Sequence, residues 1–447
     1  MDYRELTESV LKQAAKAGAT AADVVVIEDE SFSVQVRMRD VDTVKNAREK
    51  RLGLRLFVGQ RSATTATSDF SPASLARLVS DTKAMADATP EDSFAGMPAA
   101  KEIATQVPEL DLWDGAAGRL PVEERIALAC AAEKAALDSD ARITNSEGAD
   151  YRQGEARVCL ANSLGFCGEY RASRNSLSVT PVAKDGSGMQ RDGWYSVHRK
   201  LAKLEAADAI GREAARRTLR RLGARKVATQ AVPVVFDPDM AADLLGTVCG
   251  AVSGSAIYRG ASFLAGKLNE TIAAPHCTIV DDGRMPAGLG SRPFDGEGLP
   301  TRRTTVVQDG VLHSYLLDTY SAKKLSLAST GNASRAVGQR PTVGPTNFCM
   351  LPGSTPPAEI IRSVRQGLYV TEMIGFGVNL VTGDYSRGAV GLWIENGELT
   401  HAVEEITIAG NLKDMLREIE MIGNDLEWRS SIACPTLKIA RMMVAGN

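Results

Sequence analysis

The chain has 447 residues, 44% of them hydrophobic and 24% charged, with a net charge of −3. Single cores stop growing near roughly 250–300 residues, so two domains are expected. The near-neutral balance, with a pI near 6.0, excludes a global pull toward nucleic acid or anionic lipid. No apolar run reaches the ~18 residues of a membrane span. The charged amphipathic start "MDYRELTESVLKQAAKAGAT" does not read as a signal peptide. Seven cysteines are scattered without a CxxC pair, which fits reduced thiols and a cytoplasmic location.

The first predicted element is a helix over 4–17, stopped by Gly18. Strand-like runs "DVVVIED", "SFSVQVRMRD" and "RLGLRLFVG" follow. Ser71 as N-cap and Pro72 at the first helical position open a second helix. A loop rich in Pro, Gly and acids covers 89–120, and a helix begins at Pro121. Residues 142–198 alternate in the manner of strands, and a fourth helix over 204–222 ends at Gly223. The chain crosses to a second region at about 224–231. There an apolar run, "VPVVFDP", precedes a helix over 240–258. Many short strands follow, interrupted by helical stretches in "PPAEIIRSVRQG" and "NLKDMLREIEMIG". Strands with irregularly placed helices predict an α+β protein of two mixed α/β domains. The boundaries are 1–225 and 226–447, the C-terminal domain being rich in antiparallel and mixed sheet.

From His198 to Lys226 ten Lys/Arg stand against three Asp/Glu. With no aromatic side chains interleaved to stack bases, a solvated helix is the expectation. Ile210, Ala214 and Leu222 would turn inward and Arg212, Arg216 and Arg220 outward. Nucleic acid and membrane are not expected partners. Phosphate and nucleophile motifs are near misses. "GASFLAGKL" lacks the P-loop spacing and the Ser or Thr after Lys267, "GFGVNLVTG" has Leu380 where a third glycine belongs, and no GxSxG elbow occurs. The free cysteines, Cys167, Cys249 and Cys434 among them, read as small buried hydrophobes with no nearby histidine.

A zinc-hydrolase helix carries two histidines about one turn apart with an adjacent glutamate. Here His198, His276, His313 and His401 stand 78, 37 and 88 residues apart, so no pair chelates from one helix. In "MAADLLGTVCGAVSGSAIYRG", Gly246, Gly250 and Gly254 recur every fourth residue instead. Interior helical glycines cost roughly 1 kcal/mol each relative to alanine, which predicts a packing reason, a flat face that another backbone approaches.

The ordered set "TNSEGADYRQGEARVCLANSLGFCGEYRAS", "AAPHCTIVDDG", "RPFDGEGLPTRRTTVVQDGVLHSYLLDTYSAKKL", "STGNASRA", "GLYVTEMIGFGVNLVTGDYSRGAVGLWIENGELTHAVEEITIAGNL" and "MIGNDL" resembles the TldD/PmbA family over nearly the whole chain. The resemblance implies a protease built from two subunit types. The TldD type carries a zinc-binding HExxxH helix and a cysteine ligand near its C-terminus. The PmbA or TldE type lacks these and pairs with it to degrade unfolded peptides; an older label for members is modulator of DNA gyrase.

Aligned on the "GASF" and "AAP" stretches, the metal helix falls on "LGTVCG". Leu245 and Gly250 occupy the two histidine positions, Gly246 the base position, and Ser253 that of a further acidic ligand. Cys434 lies outside the ligand cysteine's motif. The resemblance is therefore to the PmbA/TldE type. It implies no catalytic or metal residue and no bound cofactor in this chain, zinc in a TldD-type partner, unfolded peptides as substrates, and a homodimer as a possible state of the isolated chain. The polar loops "FDGEGLPTRR" and "GNASRA" nominate Asp295, Glu297, Arg302, Arg303, Asn332 and Arg335 as peptide or interface contacts. A self-sufficient peptidase with an unrecognised site and a non-proteolytic binding protein stay open as alternatives.

Overall fold

A computed structural model describes residues 1–446. The N-terminal half comprises α1 (Tyr3–Lys16), β1 (Ala21–Arg37), β2 (Asp40–Val58), β3 (Arg61–Thr67), α2 (Pro72–Ala88), α3 (Val122–Leu137), β4 (Ile143–Asn162), β5 (Cys167–Asp185), β6 (Gly188–Arg191), β7 (Trp194–His198) and α4 (Ala207–Leu219). Ser71 caps α2, its hydroxyl accepting from Ser74 N, with Pro72 behind it. The strands form one antiparallel sheet ordered β3-β2-β1-β4-β5-β6, with β7 also on β5. Alternation decides which side chains meet which layer. Val24 and Val26 pack with α1 and α2 residues such as Val10 and Leu78, whereas Val34 and Val36 pack with Ala132 of α3 and Ile210 of α4. On the opposite face, Val25 and Leu160 meet Phe166 and Phe294. Phe294 belongs to the second half, so the sheet is the floor on which that half sits.

The C-terminal half runs through β8 (Gln230–Phe236), α5 (Pro238–Ala251), α6 (Gly254–Tyr258), β9 (Ile279–Asp282), β10 (Arg303–Gln308), β11 (Val311–Leu312), α7 (Thr319–Leu325), β12 (Ala333–Ser334), β13 (Thr342–Val343), β14 (Phe348–Met350) and α8 (Pro357–Arg362). It closes with β15 (Gln366–Ile374), β16 (Asp384–Glu395), β17 (Glu398–Asn411), α9 (Leu412–Arg417), β18 (Ile419–Ile422), β19 (Ile432–Ala433) and β20 (Leu437–Ala445). One sheet is ordered β17-β16-β15-β8-β20-β18, and β17 also pairs with β20, closing five strands into a ring. Closure leaves those strands no free edges. A second sheet is ordered β11-β10-β9-β14-β19. Helix α5 lies between them, its Leu244, Leu245 and Val248 in the large core with Phe236, Phe348 and Leu437. The protein is thus α+β, with extensive sheet in both halves.

Three expectations are corrected. The helix expected over 240–258 is two helices. An isolated parallel bridge joins Ser253 to Leu316, where Leu316 N donates to Val252 O at 3.0 Å and Gly254 N to Leu316 O at 2.8 Å, pulling the chain off the helix axis. The last helical stretch ends at Arg417, because Ile419–Ile422 is taken up as a strand against β20. Helix α4 hides more charge than its sequence suggests. Arg217 and Arg221 are buried, and the Arg220 side chain, expected outward, is only 17% exposed and turns to Asp192.

Candidate functional site

A cleft of about 770 Å³ opens along one side of α5. The helix starts two residues ahead of the expected 240, with Asp237 accepting from Met240 N and Pro238 at the first position. Its buried residues Ala241, Leu244, Leu245, Val248 and Cys249 anchor it from below. Asp239, Asp243, Gly246, Thr247 and Gly250 are left along the cleft. The facing walls come from the loop holding Phe376, Val378 and Leu380, and from Glu427, Arg429, Ser430 and Ile432. Tyr195 of β7 closes one end and Arg387 of β16 stands beside Asp243.

The glycines do not form one packed face, as expected from their spacing. A Cβ at Gly246 would meet only Ile432 Cδ1, and one at Gly250 only Leu380 Cδ1, each at 3.6 Å across open space. At Gly254 it would sit 2.5 Å from Leu317 Cδ2 and 2.6 Å from Ser321 Oγ. Only this third glycine has a close-packing reason, the approach of α6 to α7.

The carboxylates around the cleft are each paired with an arginine, three acids against two guanidinium groups. Arg387 pairs with Asp243. Arg429 pairs with Glu427 and lies 3.5 Å from Asp239, and it stacks over Trp194 with 4.0 Å to the ring centroid. Burial raises the Asp237 carboxyl to about 6, against the pull of Arg217. Tyr195 is likewise pushed up to about 12, by burial first and then by Asp239.

These residues do not fit a zinc ion. Leu245 is 2% exposed in the core, whereas Gly250 borders the cleft. Neither Leu245 nor Gly250 carries a donor atom that a metal could use. Gly246 lies on the cleft with no side chain, and the Ser253 hydroxyl meets that of Ser255 at 2.9 Å. His276 and His313 are exposed on separate segments, His401 meets Thr400, and His198 accepts from Lys200 N. Cys434 is buried, its thiol raised well above the ordinary range by burial and by Cys277 and Cys349 beside it. Among the described residues no three His, Cys, Asp or Glu side chains gather closely enough to hold a metal.

Four of the six nominated contact residues lie inside the protein. Asp295 accepts from the backbone N–H of Glu297, Leu299 and Ala333. Glu297 accepts from Thr319 N at 2.9 Å and from Arg55 Nη1 at 3.3 Å. Asn332 donates to Asp281 at 2.7 Å, and Arg335 donates to Asp23. With Arg55 Nη2 2.5 Å from Asp23, Glu297 and Arg335 bridge the two halves of the chain, whereas the partners of Asp295 lie within the second half. None is presented to a peptide in this conformation. Arg302 and Arg303 are exposed at the start of β10. Sequence reasoning missed the cleft's far walls; the one local signal is Phe376 between Gly375 and Gly377, a large apolar residue in a loop.

Comparison with known proteins matches the chain to three family models. These are PmbA/TldA metallopeptidase domain 1 over residues 22–86, the central domain over 116–222 and the C-terminal domain over 229–446. The first two share the single N-terminal sheet. Metalloprotease PmbA of Escherichia coli O157:H7 is 37% identical, over 99% of this chain and 97% of the relative. The PmbA homolog of Haemophilus influenzae is 34% identical, over 100% and 96%. The crystal structure of a candidate modulator of DNA gyrase from Bacteroides thetaiotaomicron superposes with a TM-score of 0.92 at 30% identity, over 99% of each chain. TldE from Thermococcus kodakarensis shares the fold, with a TM-score of 0.89 at 19% identity over 99% and 100%.

Proposed function

The chain belongs to the PmbA/TldD metallopeptidase family, and we propose that within it this chain is the non-catalytic member of a pair. A TldD-type subunit would supply the zinc and the hydrolytic step, while this chain binds unfolded peptide and completes the enclosure around it. The observation that carries the reading is a well-formed cleft on the helix that should hold a metal, with no donor set in it. Leu245 is in the core, Gly246 and Gly250 have no side chain, and every carboxylate on the cleft has an arginine partner, Asp239 and Glu427 sharing Arg429.

The test is co-purification with a TldD-type subunit from the same source, followed by cleavage of an unfolded protein such as casein. The pair is expected to cleave and to lose cleavage when the histidines of the partner's metal helix are replaced. Cleavage that survives that replacement would overturn the assignment of roles.

A further inference from the structure

We propose that the α5 cleft binds a partly extended peptide segment that sets a large apolar side chain beside a lysine or arginine. The proposal rests on the peptide-handling reading above and adds the class of segment and the place where it sits.

Gly246 and Gly250 have ordinary helical φ, since neither is among the positive-φ glycines, and a Cβ at either would make only ordinary contact at 3.6 Å. Neither backbone conformation nor internal packing requires glycine, yet each destabilises the helix by about 1 kcal/mol relative to alanine. Their effect is to keep the cleft floor deep and to bring backbone to its surface. Phe376, which lines the cleft, is 100% exposed, and Ile374 and Val381, close to it in sequence, are 54% and 56% exposed. Rimmed apolar surface of this kind marks binding sites. Three carboxylates, Asp239, Asp243 and Glu427, line the cleft against two guanidinium groups, Arg387 and Arg429. The arginine side chains are only 12% and 11% exposed, while those of Asp243 and Glu427 are 46% and 56% exposed. An incoming chain therefore meets apolar walls and an acidic rim, which favours an occupant carrying positive charge.

The experiment uses the isolated full-length chain and three unstructured, fluorescently labelled peptides read by anisotropy. One carries Phe flanked by Lys, one Phe flanked by Glu, and one Ala flanked by Lys. The first should bind about tenfold or more tighter than either of the others, a difference of about 1.4 kcal/mol. E427Q should narrow the preference for Lys over Glu, and F376S, at a wholly exposed position with no packing role, should weaken the Phe–Lys peptide severalfold. G250F, checked for folding by its thermal transition, should abolish binding. Equal affinity for the basic and acidic peptides would overturn the proposal, as would binding unchanged in F376S and G250F. No binding of any peptide would do so too, and so would a concentration-dependent dimer that G250F dissolves, which would make the cleft a contact between copies. Because no cleavage is read, these outcomes are independent of whether the chain is the non-catalytic member.

Discussion

Gly250 and Leu380 face each other across the cleft, with 3.6 Å between the place of an absent Cβ and Leu380 Cδ1. Alanine fits there and relieves the entropy that glycine gives up on folding. G250A and G246A should each stabilise the protein by about 0.5–1 kcal/mol, read as a raised urea midpoint with unchanged slope. G254A should do the opposite, by about 1–3 kcal/mol, because its methyl would overlap Leu317 and Ser321. Equal effects at all three positions would contradict the split between open and packed glycines.

Arg55 joins the two halves of the chain, with Nη2 2.5 Å from Asp23 and Nη1 3.3 Å from Glu297, all three side chains less than a tenth exposed. Burial alone would raise Asp23, but Arg335 and Arg55 outweigh it and hold its carboxyl below the usual range. R55M leaves Glu297 buried without its cation and should destabilise by about 3–5 kcal/mol, measured by denaturant unfolding. An exposed pair such as Glu8–Lys12 should be removable with no measurable change.

Asp237 caps α5 with its carboxyl raised to about 6 by burial. A raised folded value means that this group's contribution is fully present below the unfolded value, near 3.9, and is lost as pH rises through about 6. D237N keeps a good cap and removes the titration. Its stability should therefore fall less than that of the wild type between pH 4 and 6, in urea melts at matched ionic strength. Parallel pH profiles for the two proteins would refute this.

Rebuilding the metal motif should fail. In L245H/G246E/G250H the first histidine replaces a side chain that is 2% exposed in the core. The triple variant should be less stable and should carry far less than one zinc per chain by elemental analysis. Stoichiometric zinc in a folded triple variant would show that the helix can re-register.

Local signals were legible in the sequence and assembled ones were not. The Ser71–Pro72 start of α2 was readable because caps and first-turn prolines act within a few residues. The break at Val252–Ser253 was not, since it depends on Leu316, more than 60 residues on. The polar loops around Asp295 and Asn332 looked like contact surface because Gly- and Pro-rich loops usually lie outside. Their partners, Asp23, Arg55 and Asp281, come from other segments and draw them in. The arginines of α4 misled for the same reason, Arg217 and Arg220 being drawn toward Asp192.

The central claim is that this chain's cleft holds no catalytic metal, and zinc content with peptide hydrolysis of the isolated chain, purified without chelator and after zinc incubation, tests it most directly. The account predicts substoichiometric zinc and no cleavage above a buffer blank in either preparation. One tightly held zinc per chain together with zinc-dependent cleavage would contradict it.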